Sequence, residues 1–140
     1  MTKEEVLKFI KGHNLAVVAT VSSDNRPQAS VVEYGEFDDL TIIIDLDNAS
    51  RKYKNLQINK NVAAVIGWDE DITVQLEGEA YELKNDELKK AQESYFAKNP
   101  KAKKWANEPN IAYFAIKPNW IRYTDLNQTP WLVKEFNLEE

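Results

Sequence analysis

The sequence predicts an all-β domain with accessory helices, closed as an antiparallel barrel. Short apolar segments of strand character recur at Leu15–Val21, Gln28–Tyr34, Leu40–Ile44, Val62–Trp68, Ile72–Leu83, Ile111–Ile116 and Trp120–Tyr123. Most of their connections are of hairpin length, with helices inserted only here and there, which suits an antiparallel barrel better than a parallel α/β sheet. The 140 residues hold only 4 Gly and 5 Pro, with no repeat and no linker, so residues 1–140 read as one domain.

Each element has its own signal. Thr2 with Glu5 three residues later forms a capping box, and Val6, Phe9 and Ile10 make one helical stripe that stops at Gly12. This helix is expected to lid the core. The runs Leu15–Val21 and Gln28–Tyr34 flank Ser-Ser-Asp-Asn-Arg-Pro and read as a hairpin. Leu40–Ile44 is β-branched almost throughout. Ser50 opens a helix through Tyr53, Leu56 and Gln57 that ends near Asn59–Asn61. Within Ile72–Leu83, Ile72, Val74 and Leu76 alternate with Thr73, Gln75 and Glu77, so one face meets water, a ligand or a partner. Asn85 is expected to cap an amphipathic helix through Leu88, Ala91, Tyr95 and Phe96, followed by a solvated lysine-rich loop over Lys98–Lys104. Lys117-Pro118 separates two late strands, and Trp131–Phe136 precedes an acidic tail. The expected count is six or seven strands.

Composition narrows the chemistry. With no cysteine and a single histidine, His13, the chain cannot build a thiol nucleophile, a disulfide framework or a cysteine zinc site, and any triad would depend on His13 alone. His13 follows a helix end, where a structural role is the simpler account. The first dozen residues carry Lys3, Glu4, Glu5, Lys8 and Lys11 and contain no apolar signal segment, and Leu15–Val21 is too short for a membrane span. A cytoplasmic protein without a membrane partner is expected. The net charge of −5 argues against nucleic acid as a partner, including at the lysine cluster beside Trp105.

The most informative segment is Asp45-Leu-Asp-Asn-Ala-Ser-Arg-Lys-Tyr-Lys-Asn-Leu56. Ser50, Arg51 and Lys52 stand at a helix start, where unpaired backbone N–H groups and the positive end of the helix dipole favour a phosphate. On spacing alone, a serine cap followed by solvated basic residues is the simpler account.

The context of several further blocks raises the phosphate reading through a family resemblance. Leu15-Ala-Val-Val-Ala-Thr-Val-Ser-Ser-Asp-Asn-Arg-Pro-Gln-Ala-Ser-Val-Val32, Leu40-Thr-Ile-Ile-Ile44, Ser50-Arg-Lys-Tyr-Lys-Asn-Leu56, Asn61-Val-Ala-Ala-Val65 and Leu76-Glu-Gly-Glu-Ala80 together resemble the pyridoxamine 5′-phosphate oxidase-like family of FMN-binding split barrels. The resemblance implies a six-stranded antiparallel split β-barrel of Greek-key type, homodimeric, with FMN in clefts between the subunits. Ser50, Arg51 and Lys52 match the family's phosphate-binding run. Ala29, Ser30, Val31 and Val32 match the strand along the isoalloxazine ring, Asp45 and Leu46 match the strand end beside the ribityl chain, and Gln75 is a candidate polar contact. The implied activity is flavin-dependent oxidoreduction of a small-molecule substrate, with NAD(P)H as a candidate donor. The alternatives are a non-catalytic flavin or deazaflavin carrier and a split barrel that has lost its cofactor.

Several positions depart from the family pattern. Leu46 stands where many members have threonine, Ser30 where the vitamin B6 oxidases have arginine, and Thr124 at their late ring-contacting tryptophan. Pyridoxine phosphate oxidation itself is therefore not expected, and Asp45 and Asp47 bring negative charge close to the phosphate run. Trp68, Trp105, Trp120 and Trp131 are expected as core or dimer-interface anchors, with Trp105 and Trp131 the better candidates for flavin stacking. Arg122 and Tyr123 are candidates to reach a ligand across an interface.

Overall fold

The computed structural model describes residues 1–138; Glu139 and Glu140, the acidic tail, lie outside the described residues. Along the chain run α1 (Lys3–Lys11), β1 (Leu15–Val21), β2 (Pro27–Glu33), β3 (Gly35–Glu36), β4 (Ile42–Asp47), α2 (Arg51–Ile58), β5 (Asn61–Ile66) and β6 (Ile72–Glu82). They are followed by α3 (Asn85–Lys98), a 3-10 helix (Pro100–Trp105), β7 (Ile111–Asp125) and β8 (Leu132–Asn137). All strand pairings are antiparallel, in the order β2-β1-β5-β6-β7-β4-β3, with β8 added along the second half of β7. Six strands, β2 to β4 in that order, form the barrel wall. β4 precedes the β5-β6-β7 meander in sequence yet lies beside β7, which is a Greek key. The sheet curls until β2 approaches β4, and α2 packs on β1 and β4 across that seam.

Alternation explains the closure. Ala16, Val18, Ile42, Ile44, Leu46, Val62, Ala64, Ile66, Val74, Leu76, Phe114, Ile116 and Ile121 point inward and make the main core. Helix α1, with its capping box formed, closes one end through the fully buried Val6 and Ile10. A second cluster lies outside the wall, where Ile43, Tyr113 and Ala115 meet Ala91 and Tyr95 of α3. No helix of the described residues is long and apolar enough to cross a membrane.

Four expectations need correction. The third strand runs Ile42–Asp47 rather than Leu40–Ile44, because Leu40 adopts a φ of 75° in the preceding turn while Asp45 and Leu46 stay in the β4 ladder. Asn85 has a φ of 56° and lies within α3; Lys84 takes the cap position without a side-chain bond. The lysine-rich segment forms the end of α3 and a 3-10 turn, and Lys98 is half-buried in an ion pair with Glu36 rather than solvated. Finally, Lys117-Pro118 does not end a strand. Gly78 pairs with Pro118 and Glu77 with Trp120, leaving Asn119 as the extra residue of a bulge that accommodates the proline's missing N–H.

That bulge depends on Gly78, since a Cβ there would collide with the Lys117 backbone carbonyl. Gly78→Ala should destabilise the fold by about 3 kcal/mol, the upper range for forced overpacking. Thermal unfolding followed by circular dichroism checks this; a loss below about 1 kcal/mol would show that the β6–β7 pairing tolerates the shift.

Candidate functional site

The phosphate-binding candidates gather where α2 meets β2. Ser50 caps α2, its Oγ accepting from the Tyr53 N–H at 3.2 Å. The N–H groups of Arg51 and Lys52 fall in the first turn and have no acceptor within the helix. Three anchors hold the helix in place. Leu56 enters the core, the Tyr53 hydroxyl donates to Glu82 at 3.0 Å, and the buried Asn55 amide donates to Thr20 Oγ1 at 2.9 Å and Gln28 Oε1 at 3.0 Å. Gln28, Ala29, Ser30, Ser50, Arg51 and Lys52 then line a cleft of about 130 Å³. Across it Lys52 Nζ donates to Ser30 Oγ at 2.6 Å. That volume accommodates a phosphate group and not a tricyclic ring, since small-molecule pockets typically run to several hundred cubic ångströms.

The remaining candidates divide by strand parity. Ser30 lies on the α2 side of β2, whereas Ala29 and Val31 are exposed on the opposite, outer face and Val32 packs against the main core. Leu46 is 3% exposed and points into the barrel, so only its backbone faces outward. Gln75 is exposed on the outer face. The register Val31↔Val17↔Val65↔Gln75 places it three strands from Val31, roughly 14 Å away at ordinary strand spacing. Within one chain, Gln75 does not join the Ser50–Arg51–Lys52 cluster.

Both nearby aspartates are engaged. Asp47 accepts from Ala49 N–H at 2.8 Å and from Asn110 Nδ2 at 3.4 Å. Asp45 accepts from the Tyr95 hydroxyl at 3.0 Å beneath α3. Burial pushes the Asp45 carboxyl above its ordinary range, against the opposing effects of the Tyr95 bond and the Lys52 charge. Burial likewise holds the Lys52 ammonium below its ordinary range, with the Asp45 charge acting the other way. Tyr95 is raised by burial and by Asp45, and the Tyr113 hydroxyl, also near Asp45, is buried with no hydrogen-bond partner among the described residues. No site role follows from the sequence for Tyr95, Tyr113, Gln28 or Asn55; the one available signal is a polar atom within an otherwise apolar stripe.

Because the folded Asp45 carboxyl is raised above its unfolded value, its ionised form costs stability at neutral pH. That cost fades as pH falls through the raised value. Asp45→Asn keeps an acceptor for Tyr95 and, if the cleft holds the phosphate of FMN, should tighten FMN binding about fivefold at pH 7 through lost charge repulsion, with the gain shrinking in acid. Titration of FMN fluorescence at both pH values checks this; a gain that persists unchanged in acid would contradict it.

The tryptophans are not core anchors of this chain. Trp68 and Trp105 are both 46% exposed and Trp131 is 65% exposed, while Trp120 donates to Glu135 at 2.9 Å. Tyr123 turns inward at 7% exposure and is closed to a ligand; Arg122 shares the outer face with its register partner Gln75.

Comparison with solved structures places this architecture among known folds. A heme binding protein from Mycobacterium smegmatis superposes with a TM-score of 0.84 at 18% identity, over 96% of this chain and 57% of that one. The present chain thus spans little more than half of that protein. General Stress Protein 26 from Bacillus anthracis gives a TM-score of 0.73 at 24% identity, covering 86% of this chain and 92% of that one. A protein related to general stress protein 26, of the pyridoxinephosphate oxidase family, from Clostridium acetobutylicum gives 0.75 at 10% identity, covering 99% and 97%. At these identities the likeness concerns the fold. No curated protein matches the sequence. The family model described as pyridoxamine 5′-phosphate oxidase matches residues 2–125, which include all six wall strands, and the chain belongs to that family.

Proposed function

We propose that this chain binds FMN and serves as a flavin-dependent oxidoreductase on a small substrate, working as a homodimer. The observation that carries the reading is the cationic cleft at the barrel seam, formed against β2, an end strand of the sheet whose other face is exposed and apolar. In this arrangement Arg51 and Lys52 take the phosphate, the first N–H groups of α2 add hydrogen bonds, and Ser30 fixes the Lys52 ammonium. Asp47, committed to Ala49 and Asn110, leaves the cleft to the cations. The bound flavin would supply two-electron chemistry that these side chains lack.

The cleft fits the phosphate alone, so the ring needs another surface. Ala29 and Val31 offer a flat apolar wall, continuous through Val17 and Ala19 to Ala63 and Val65 of β5. Val31 is 58% exposed, and such a contiguous apolar face on a small domain favours a partner. A second copy seated there would enclose the ring and bring its own Gln75 face to the interface. The haem binding of one structural neighbour transfers less readily. The single histidine lies beyond the start of β1, whereas Ser30 pairs with Val18 in its middle, and haem iron needs an axial donor such as histidine.

The visible spectrum of the purified protein, before and after denaturation, tests the cofactor, and light scattering tests the dimer. A yellow dimer that releases FMN and bleaches anaerobically with NADH or NADPH supports the reductase; an inert yellow complex supports the carrier. A colourless protein that takes up no added FMN overturns the reading.

A further inference from the structure

The geometry points to a divalent metal site, separate from the flavin cleft, built from His13, Asp69 and Glu70. Their donor atoms all lie within 4.8 Å of one another, the one such group among the described residues, and His13 Nε2 is 4.0 Å from Glu70 Oε1.

Proximity of a histidine to two acids is common; the surroundings set this group apart. His13 Nδ1 lies 2.8 Å from the Phe9 carbonyl oxygen. A carbonyl only accepts, so Nδ1 carries a proton and Nε2 is the ring nitrogen left to ligate, on the side of Glu70 Oε1. This is the outer-shell arrangement that orients metal-bound imidazoles, supplied here by an atom outside the three ligands.

The donors are also held by packing. The Phe9 ring stacks against His13 with centroids 4.2 Å apart, and Gly67 packs so closely on Phe9 that a Cβ would collide with the ring. This contact brings the end of α1 against the β5–β6 turn. A third segment clamps that turn, as Asn127 Nδ2 donates to the Glu70 carbonyl and Leu126 N–H to the Asp71 carbonyl, each at 2.9 Å. The C-terminal end of α1 adds the dipole end that favours a cation.

Ligand atoms on a tetrahedral ion with bonds near 2.1 Å sit about 3.4 Å apart. Closing from the observed separations requires only side-chain motion of about 1 Å, and Glu70, 72% exposed, is free to make it. One imidazole with two carboxylates suits zinc, cobalt or nickel better than magnesium, and solvent completes the coordination.

Zinc titration of tag-free, chelator-treated protein by calorimetry tests the assignment, with and without FMN. One zinc should bind, His13→Gln should weaken it at least tenfold, and Asp69→Asn with Glu70→Gln should do the same while leaving His13 in place. Thermal unfolding of the wild type should shift upward with zinc, and that of either variant should not. Cobalt should bind with a visible absorption band that is lost in His13→Gln. Equal zinc affinity in wild type and His13→Gln, no zinc binding by the wild type, or equally tight magnesium binding would overturn the proposal. The FMN titration is independent, so failure of the metal site leaves the flavin reading standing, and the converse holds.

Discussion

Replacing both Arg51 and Lys52 by alanine is expected to lower FMN affinity at least a hundredfold while leaving riboflavin affinity nearly unchanged. Each charge-assisted hydrogen bond to phosphate contributes roughly 1.5–3 kcal/mol, so two lost contacts amount to about two to four powers of ten. Riboflavin lacks the phosphate and reports on the ring wall of Ala29 and Val31 alone. Flavin fluorescence titration of both ligands gives the comparison. If the double variant keeps its FMN affinity, the cleft beside Ser30 is not the phosphate site; if it loses riboflavin equally, the side chains act on the fold instead. The prediction is sharp because the chain as a whole carries a net charge of −5, which repels an anion everywhere except at such a local patch.

Lys98→Ala is expected to cost about 3 kcal/mol, the lower end of the range for stranding one member of a buried ion pair, because both partners are largely but not fully covered. Lys98 Nζ lies 2.5 Å from Glu36 Oε1, with side-chain exposures of 11% and 8%, and it also donates to the Ile10 carbonyl at 3.0 Å over the Tyr34 ring. One ammonium thereby ties α3 to β3 and to the last turn of α1. Thermal unfolding should drop by roughly 10 °C or more for a chain of this size. Replacing both partners, Glu36→Leu with Lys98→Met, should recover most of the loss, since no charge is then left buried without a partner. A cost below about 1 kcal/mol for Lys98→Ala would mean that water reaches Glu36 freely.

How much of this was legible beforehand follows from the range over which each signal acts. The capping box at Thr2 and Glu5, the serine cap at Ser50 and the alternation through Ile72–Glu77 are contacts between residues two to four apart, and each is present as read. The block order that carried the family resemblance is likewise a property of the chain itself, and the match over residues 2–125 agrees with it. Two of the errors fall where a distant strand overrides a local cue, whereas those at Leu40 and Asn85 come from local backbone conformation. Pro118 reads as a break, yet Gly78 opposite it makes room for a bulge, and the two late strands become one. Lys98 reads as part of a solvated run, yet Glu36 waits 62 residues away.

By itself, then, the sequence determined the strand and helix faces, the absence of thiol chemistry and the basic helix start, because these depend on composition and short-range periodicity. Only the tertiary structure decided that Lys52 faces Ser30, that Leu46 turns inward, that Gln75 lies three strands away on the outer face, and that His13 meets Asp69 and Glu70. Those facts depend on sheet register and barrel closure, where a one-residue slip sends every side chain to the opposite face.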